Sequence, residues 1–135
     1  MTTQQDDTTP PAPPSLQVLI TAGAEDPHKA RQGLEVALAA AAMGAKVSVF
    51  LTLRGAFWAE RRLHQSCVVP GCESIPALIQ ELVEMDVAIE CCSSCALQFT
   101  KTCDANGPEM LAGIVVSGLA AMVARTLNGT PSLTF

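Results

Sequence analysis

The feature that most constrains this chain is a strand–helix–strand pattern in its first third. Residues 16–21, LQVLIT, are apolar enough for a strand buried on both faces. Asp26-Pro27 then starts a helix, with Asp as N-cap and Pro at the first helical position, where a missing N–H costs nothing. Ala30, Leu34, Ala37, Leu38 and Ala41 recur at helical spacing, and Met43-Gly44 closes the helix, with Gly as its C-cap. Residues 46–53, KVSVFLTL, read as a second strand. Strand, helix and strand in so short a span form a βαβ unit, which makes the strands parallel and the crossover right-handed.

The remainder continues the alternation. After Arg54-Gly55 a short helix is expected to carry Phe57, Trp58 and Leu63. A loop over 65–73 holds Cys67, Pro70, Gly71 and Cys72, and Ser74 caps a helix whose apolar face is Ile75, Leu78, Ile79, Leu82 and Val83. A third strand is expected over 87–90, with a cysteine cluster straight after it. The run DANGP at 104–108 is a turn, 113–117 a fourth strand, 119–127 a helix closed by Asn128-Gly129, and 132–135 a last short strand. The pattern predicts an α/β protein: a three-layer α/β/α domain over residues 16–135, with a mostly parallel sheet of about five strands. Residues 1–15, polar and Pro-rich around Pro10-Pro11-Ala12-Pro13-Pro14, read as a disordered tail.

Composition narrows the function. At 135 residues the chain is one domain with room for a core that needs no staples. Net charge is −5 and the longest basic run is Arg61-Arg62, which argues against a nucleic-acid surface or an anionic-membrane patch. The partner is then a small molecule or another protein. The apolar stretches at 36–43 and 111–124 are broken or ended by Gly or Ser and are too short to span a membrane. The N-terminus lacks the basic-then-apolar order of a secretory signal, so a cytosolic location is expected. In that compartment six cysteines are expected to be reduced, reactive or metal-bound.

Chemistry concentrates in Cys91-Cys92-Ser93-Ser94-Cys95, between an expected strand and an expected helix. In an open parallel sheet, sites form outside the carboxyl ends of the strands. The loops at 22–26, 54–58 and 91–95 all leave strands at that edge. Cys92 and Cys95 have Cys-x-x-Cys spacing, across which two sulfurs can meet in a disulfide. The N-terminal thiol, expected to be the more exposed and more acidic, would lie at the positive end of a helix and ionise readily. Such a nucleophile can take up sulfane sulfur as a persulfide or join a mixed disulfide, with Cys95 releasing the cargo. Cys91 is the rival nucleophile, unless it points into the core as the last residue of the strand. Burial of all three as small hydrophobes is the plain alternative.

Cys67 and Cys72 could close a small disulfide, or join Cys92 and Cys95 in a four-cysteine zinc site. Cys103 reads as structural or a spectator. His28 and His64 are expected to be solvated, and of the Glu25–Asp26 pair Asp26 already has a capping role. Trp58 could wall a pocket or pack in the core. There is no phosphate-binding glycine loop and no nucleophile elbow, and no cofactor is expected.

The order of these motifs resembles the DsrE/DsrF-like sulfur-relay family. The residues that carry the likeness are the opening strand with TAGAEDP at 21–27 and the Ala-rich helix running into MGAKVSVFL at 43–51. To these are added the helix before VAIECC at 87–92 and the closing SLTF at 132–135. The resemblance implies a three-layer α/β fold, assembly into homotrimers or hexamers, and a cysteine at the position of Cys92 that carries persulfide sulfur between donor and acceptor proteins, as a sulfur carrier or sulfurtransferase. Asp86, where the family often has Gly, and the extra Cys91, Cys67, Cys72 and Cys103 depart from the pattern. They leave room for a zinc-binding or dithiol redox module on the same fold.

Overall fold

A computed structural model describes residues 11–60, 75–99 and 110–135, and side chains in the 93–99 helix as far as Ala96. The strands are β1 (Ser15–Ile20), β2 (Lys46–Leu51), β3 (Ala88–Cys92), β4 (Ile114–Ser117) and β5 (Ser132–Thr134). They form one sheet in the order β4-β3-β2-β1-β5, and every pairing is parallel. The helices are α1 (Pro27–Ala42), α2 (Ile75–Glu84), α3 (Ser93–Phe99) and α4 (Leu119–Leu127), and a 3₁₀ helix spans Leu53–Ala59. Helices lie on both sides of the sheet, so the three-layer α/β/α architecture expected from the sequence is the one observed.

Local chemistry explains the first unit. The Asp26 carboxylate accepts the Lys29 N–H at 3.2 Å, which occupies one donor of the first helical turn, and Pro27 follows. Ala30, Gly33, Leu34 and Ala37 are the buried stripe of α1. A side chain at Gly33 would collide with Ile20, so the small stripe lets the helix settle close on β1. Met43 is the C-cap and Gly44 follows at φ +92°.

Register fixes the faces. Gln17 pairs with Ser48, Phe50 with Glu90 and Glu90 with Val115, and these residues look toward α4. Val18, Ile20, Val49, Leu51 and Ile89 look the other way, into the apolar core with Leu34, Ile79 and Leu82. The α4 layer is held differently. Arg125 makes two hydrogen bonds to the Glu90 carboxylate, at 2.6 and 2.8 Å, and a third to Gln17 Oε1 at 3.2 Å. Gln17 Nε2 in turn donates to the Met122 carbonyl at 3.2 Å and to Ser132 Oγ at 3.1 Å.

Several boundaries differ from expectation. β1 begins at Ser15, and β2 ends at Leu51, so Thr52 and Leu53 leave the sheet. The short helix after β2 starts at Leu53 and is 3₁₀ in type; Leu63 lies outside the described residues. β3 starts one residue later than expected and extends through Cys91 and Cys92, which the sequence reading placed after the strand. β4 begins at Ile114, because Gly113 takes φ +94°, and β5 ends at Thr134. The expected turn at 104–108, the loop at 65–73, Ser74 and His64 also lie outside the described residues.

Candidate functional site

The site is built where β2 and β3 end. Cys91 pairs with Leu51 of β2, and Cys92 pairs with Ser117 of β4. Being consecutive in a strand, the two thiols point to opposite faces. Cys91 shares the face of Ile89, in the core, and Cys92 that of Glu90. Helix α3 begins at the next residue, Ser93, and brings Cys95 round on its first turn. The loop after β1, the turn after β2 and the cysteines at the end of β3 therefore share the carboxyl edge of the sheet.

The two faces give the thiols opposite electrostatics. Burial pushes the Cys91 thiol up to about 12, and the neighbouring Cys92 and Cys95 sulfurs add to the effect. Burial thus disfavours the thiolate at Cys91. Burial also acts to raise Cys92, but there it is outweighed. The Ser94 hydroxyl lies 3.2 Å from Cys92 Sγ and is the chief influence favouring the thiolate, with the Ser94 and Cys95 groups at the start of the helix acting in the same direction. The net result is a thiol lowered to about 7, half ionised at neutral pH.

Cys92 is not the more exposed member of the pair. It is 1% exposed against 6% for Cys95, because it lies within the strand and not beyond it. The thiolate is thus sheltered, and a reagent meets it only when its neighbours yield. Cys91, Cys92 and Cys95 are all free thiols.

Cys95 is held from a second direction. Its Sγ accepts the Leu53 N–H at 3.1 Å and lies 3.6 Å from Thr52 Oγ1. Leu53 has φ +51°, a left-handed conformation that costs a residue with a Cβ roughly 1–2 kcal/mol. The sequence reading missed Thr52, Leu53 and the Ser94 hydroxyl. Nothing in a KVSVFLTL run announces a left-handed leucine, although Ser94 beside a Cys-x-x-Cys pair is a visible donor.

Other expected residues fall away from the thiols. The Glu25 carboxylate accepts the Gly23 N–H at 2.9 and 3.0 Å, so Glu25 and Asp26 each serve a backbone amide and do not act as a carboxylate pair. His28 is exposed on α1. Trp58 is in the core and its indole N–H donates to the Ala22 carbonyl at 2.8 Å. Cys67, Cys72 and Cys103 lie outside the described residues, and among the described residues no group of three His, Cys, Asp or Glu is placed to hold a metal ion. Among them, too, no helix is long and apolar enough to cross a membrane.

The chain is thus an all-parallel α/β/α domain with free thiols where a strand passes into a helix. The chain belongs to the DsrE/DsrF-like family, whose model matches residues 15–135. Among solved structures it is similar to the ychN protein from E. coli, with a TM-score of 0.65 at 14% identity; the match covers 90% of this chain and 99% of that one. At that identity the likeness speaks to the fold alone. No curated protein matches the sequence.

Proposed function

We propose that the chain is a sulfur-relay protein, a sulfur carrier or sulfurtransferase, in which Cys92 carries persulfide sulfur and Cys95 is the resolving thiol. The observation that carries this reading is the set of donors converging on the Cys92 sulfur, which offsets its burial and leaves it ionisable near neutral pH. Membership of the DsrE/DsrF-like family supports the same class of chemistry.

In the loading step the Cys92 thiolate attacks the outer sulfur of a donor persulfide. A Cys92 S–S bond forms as the donor's S–S bond breaks, and the donor leaves as a thiolate. An acceptor thiolate then attacks the outer sulfur on Cys92 and regenerates the Cys92 thiolate. Where no acceptor arrives, Cys95 attacks the Cys92 sulfur, hydrosulfide leaves, and a Cys92–Cys95 disulfide remains for a cytosolic thiol to reduce. Burial of Cys92 favours partner proteins over free small molecules as donor and acceptor, since a docked partner can displace the neighbouring side chains.

The family resemblance also implies a homotrimer or hexamer, and α4 supports such an assembly. Its only charge, Arg125, is spent on the Glu90 carboxylate. Leu119, Val123 and Leu127 form an exposed stripe along it, at 51%, 45% and 80% exposure, more than a free surface helix ordinarily shows.

Intact mass spectrometry after incubation with a sulfane donor tests the reading: wild type should gain one sulfur and Cys92→Ser should not. Equal loading of Cys92→Ser sinks it. The Cys-x-x-Cys spacing of two free thiols, Cys92 and Cys95, also favours a second reading, a dithiol–disulfide redox protein. That reading requires a measurable two-electron potential for the pair, and it fails if the thiols never join under mild oxidation.

A further inference from the structure

The cysteines occupy the carboxyl edge of the sheet, and the amino edge carries a concavity of its own. Ser15, Lys46 and Ala88 are the first residues of β1, β2 and β3. Ser15 pairs with Lys46, and Ser48, two residues further along β2, pairs with both Gln17 and Ala88. All of these therefore share the face that looks toward α4. With Arg125 of α4 and Thr130 of the loop after it, they line an open cleft of about 240 Å³. Ala88 and Cys92 are the two ends of β3, roughly 13 Å apart at about 3.3 Å per residue, so the cleft is separate from the thiols.

The lining is a set of donors that includes no carboxylate. Lys46 is exposed, and its ammonium meets no acid among the described residues. Arg125 engages Glu90 and Gln17 with three of its five N–H groups, and the others have no acceptor among the described residues. Ser48 is the most informative member. It is 8% exposed, yet its hydroxyl has no hydrogen-bond partner among the described residues. A buried hydroxyl left without a partner is unfavourable, and the cleft is where Ser48 can find one. Because Glu90 answers the charge of Arg125, Lys46 is the charge left over, in a chain of net charge −5. The complement of such a lining is small, negatively charged and rich in acceptor oxygens. A cation would face Lys46 unopposed, and an apolar body would leave the Ser48 hydroxyl unsatisfied.

We propose that this cleft binds a small oxyanion of the phosphate or sulfate type, with Lys46 as its charge partner and Ser48 as a buried hydrogen-bond donor. Ser15 and Thr130 supply further hydroxyls at the rim, and the unengaged N–H groups of Arg125 close the α4 side. The site is independent of the sulfur-carrier reading and stands or falls without it.

The test is isothermal titration calorimetry of the full chain with inorganic phosphate, in a zwitterionic buffer whose ionic strength is held constant with sodium chloride. Wild type should bind phosphate saturably at one ion per chain, and sulfate should compete for the same site. Lys46→Gln and Ser48→Ala should each weaken the phosphate association constant by roughly tenfold, the loss expected when a hydrogen bond to a charged group is removed. Should Ser48→Ala fail to fold, Thr130→Val takes its place beside Lys46→Gln, whose exposed side chain is no part of the core. Absence of saturable binding in wild type overturns the proposal. Binding that Lys46→Gln or the hydroxyl variant leaves unchanged also overturns it, because the ion would then sit elsewhere or be held by other groups. Neither sulfur donor nor acceptor is present in the cell, so sulfur loading cannot rescue or mask the result.

Discussion

Removing the Ser94 hydroxyl should make Cys92 less acidic, and the consequence can be followed quantitatively. Ser94 Oγ lies 3.2 Å from Cys92 Sγ, and a hydrogen bond to a charged acceptor contributes about 1.5 kcal/mol. Losing it in Ser94→Ala raises the thiol by about one pH unit. From a starting value of about 7, the thiolate population at pH 7 falls from half to roughly a tenth. A more basic thiolate is also a better nucleophile, by about threefold per unit at a Brønsted slope near 0.45. Against a small aromatic disulfide reagent, the variant should therefore react about twofold slower at pH 7 and about threefold faster above pH 9. The two pH–rate curves must cross. A change in access to the buried sulfur would shift the whole curve in one direction, so parallel curves would refute this account of why Cys92 is acidic.

Three further outcomes follow from the same geometry. Gly55→Ala places a methyl group against the Ile20 carbonyl and should destabilise the chain by about 3 kcal/mol or more, read from urea denaturation. Asp86 ends α2 at φ +61°, so Asp86→Gly should stabilise by about 0.5–1 kcal/mol in the same assay, the relieved strain exceeding the added chain entropy. The two cysteines of β3 should give stability a maximum near pH 9. Between about 7 and 9 the unfolded Cys92 thiol binds more protons than the folded one, so stability rises with pH. Between 9 and about 12 the unfolded Cys91 ionises while the folded thiol does not, so stability falls by roughly 1 kcal/mol per unit. Melting curves from pH 6 to 11 check both limbs, and a flat profile above pH 9 would contradict the burial assigned to Cys91.

The layered fold was legible because its signals are local and agree with one another. Asp26-Pro27 starts α1 and Gly44 ends it, alternating apolar runs mark the strands, and Asn128-Gly129 closes α4. The site was legible in its cysteines and its edge but not in its wiring. Ending β3 at Glu90 instead of Cys92 left open whether Cys91 points into the core, a question the alternation along the longer strand answers. Exposure was misjudged for the same reason, since a strand residue is covered by neighbours that a loop residue escapes. Arg125 meets Glu90 across 35 positions and Leu53 meets Cys95 across 42, so neither contact leaves a mark in any short window of sequence. The left-handed Leu53 is imposed by the Ile20 carbonyl and Gly55, a tertiary constraint that overrides its own preference.

In the proposed relay, one sulfur of the three, Cys92, is ionised and takes the cargo. Single-cysteine chains at this cluster test it most directly. With Cys91 and Cys95 both changed to Ser, the chain retaining Cys92 should still gain one sulfur from a sulfane donor, as read by intact mass. A chain retaining only Cys91 should stay at its own mass. Loading on Cys91 equal to that on Cys92 would contradict the account.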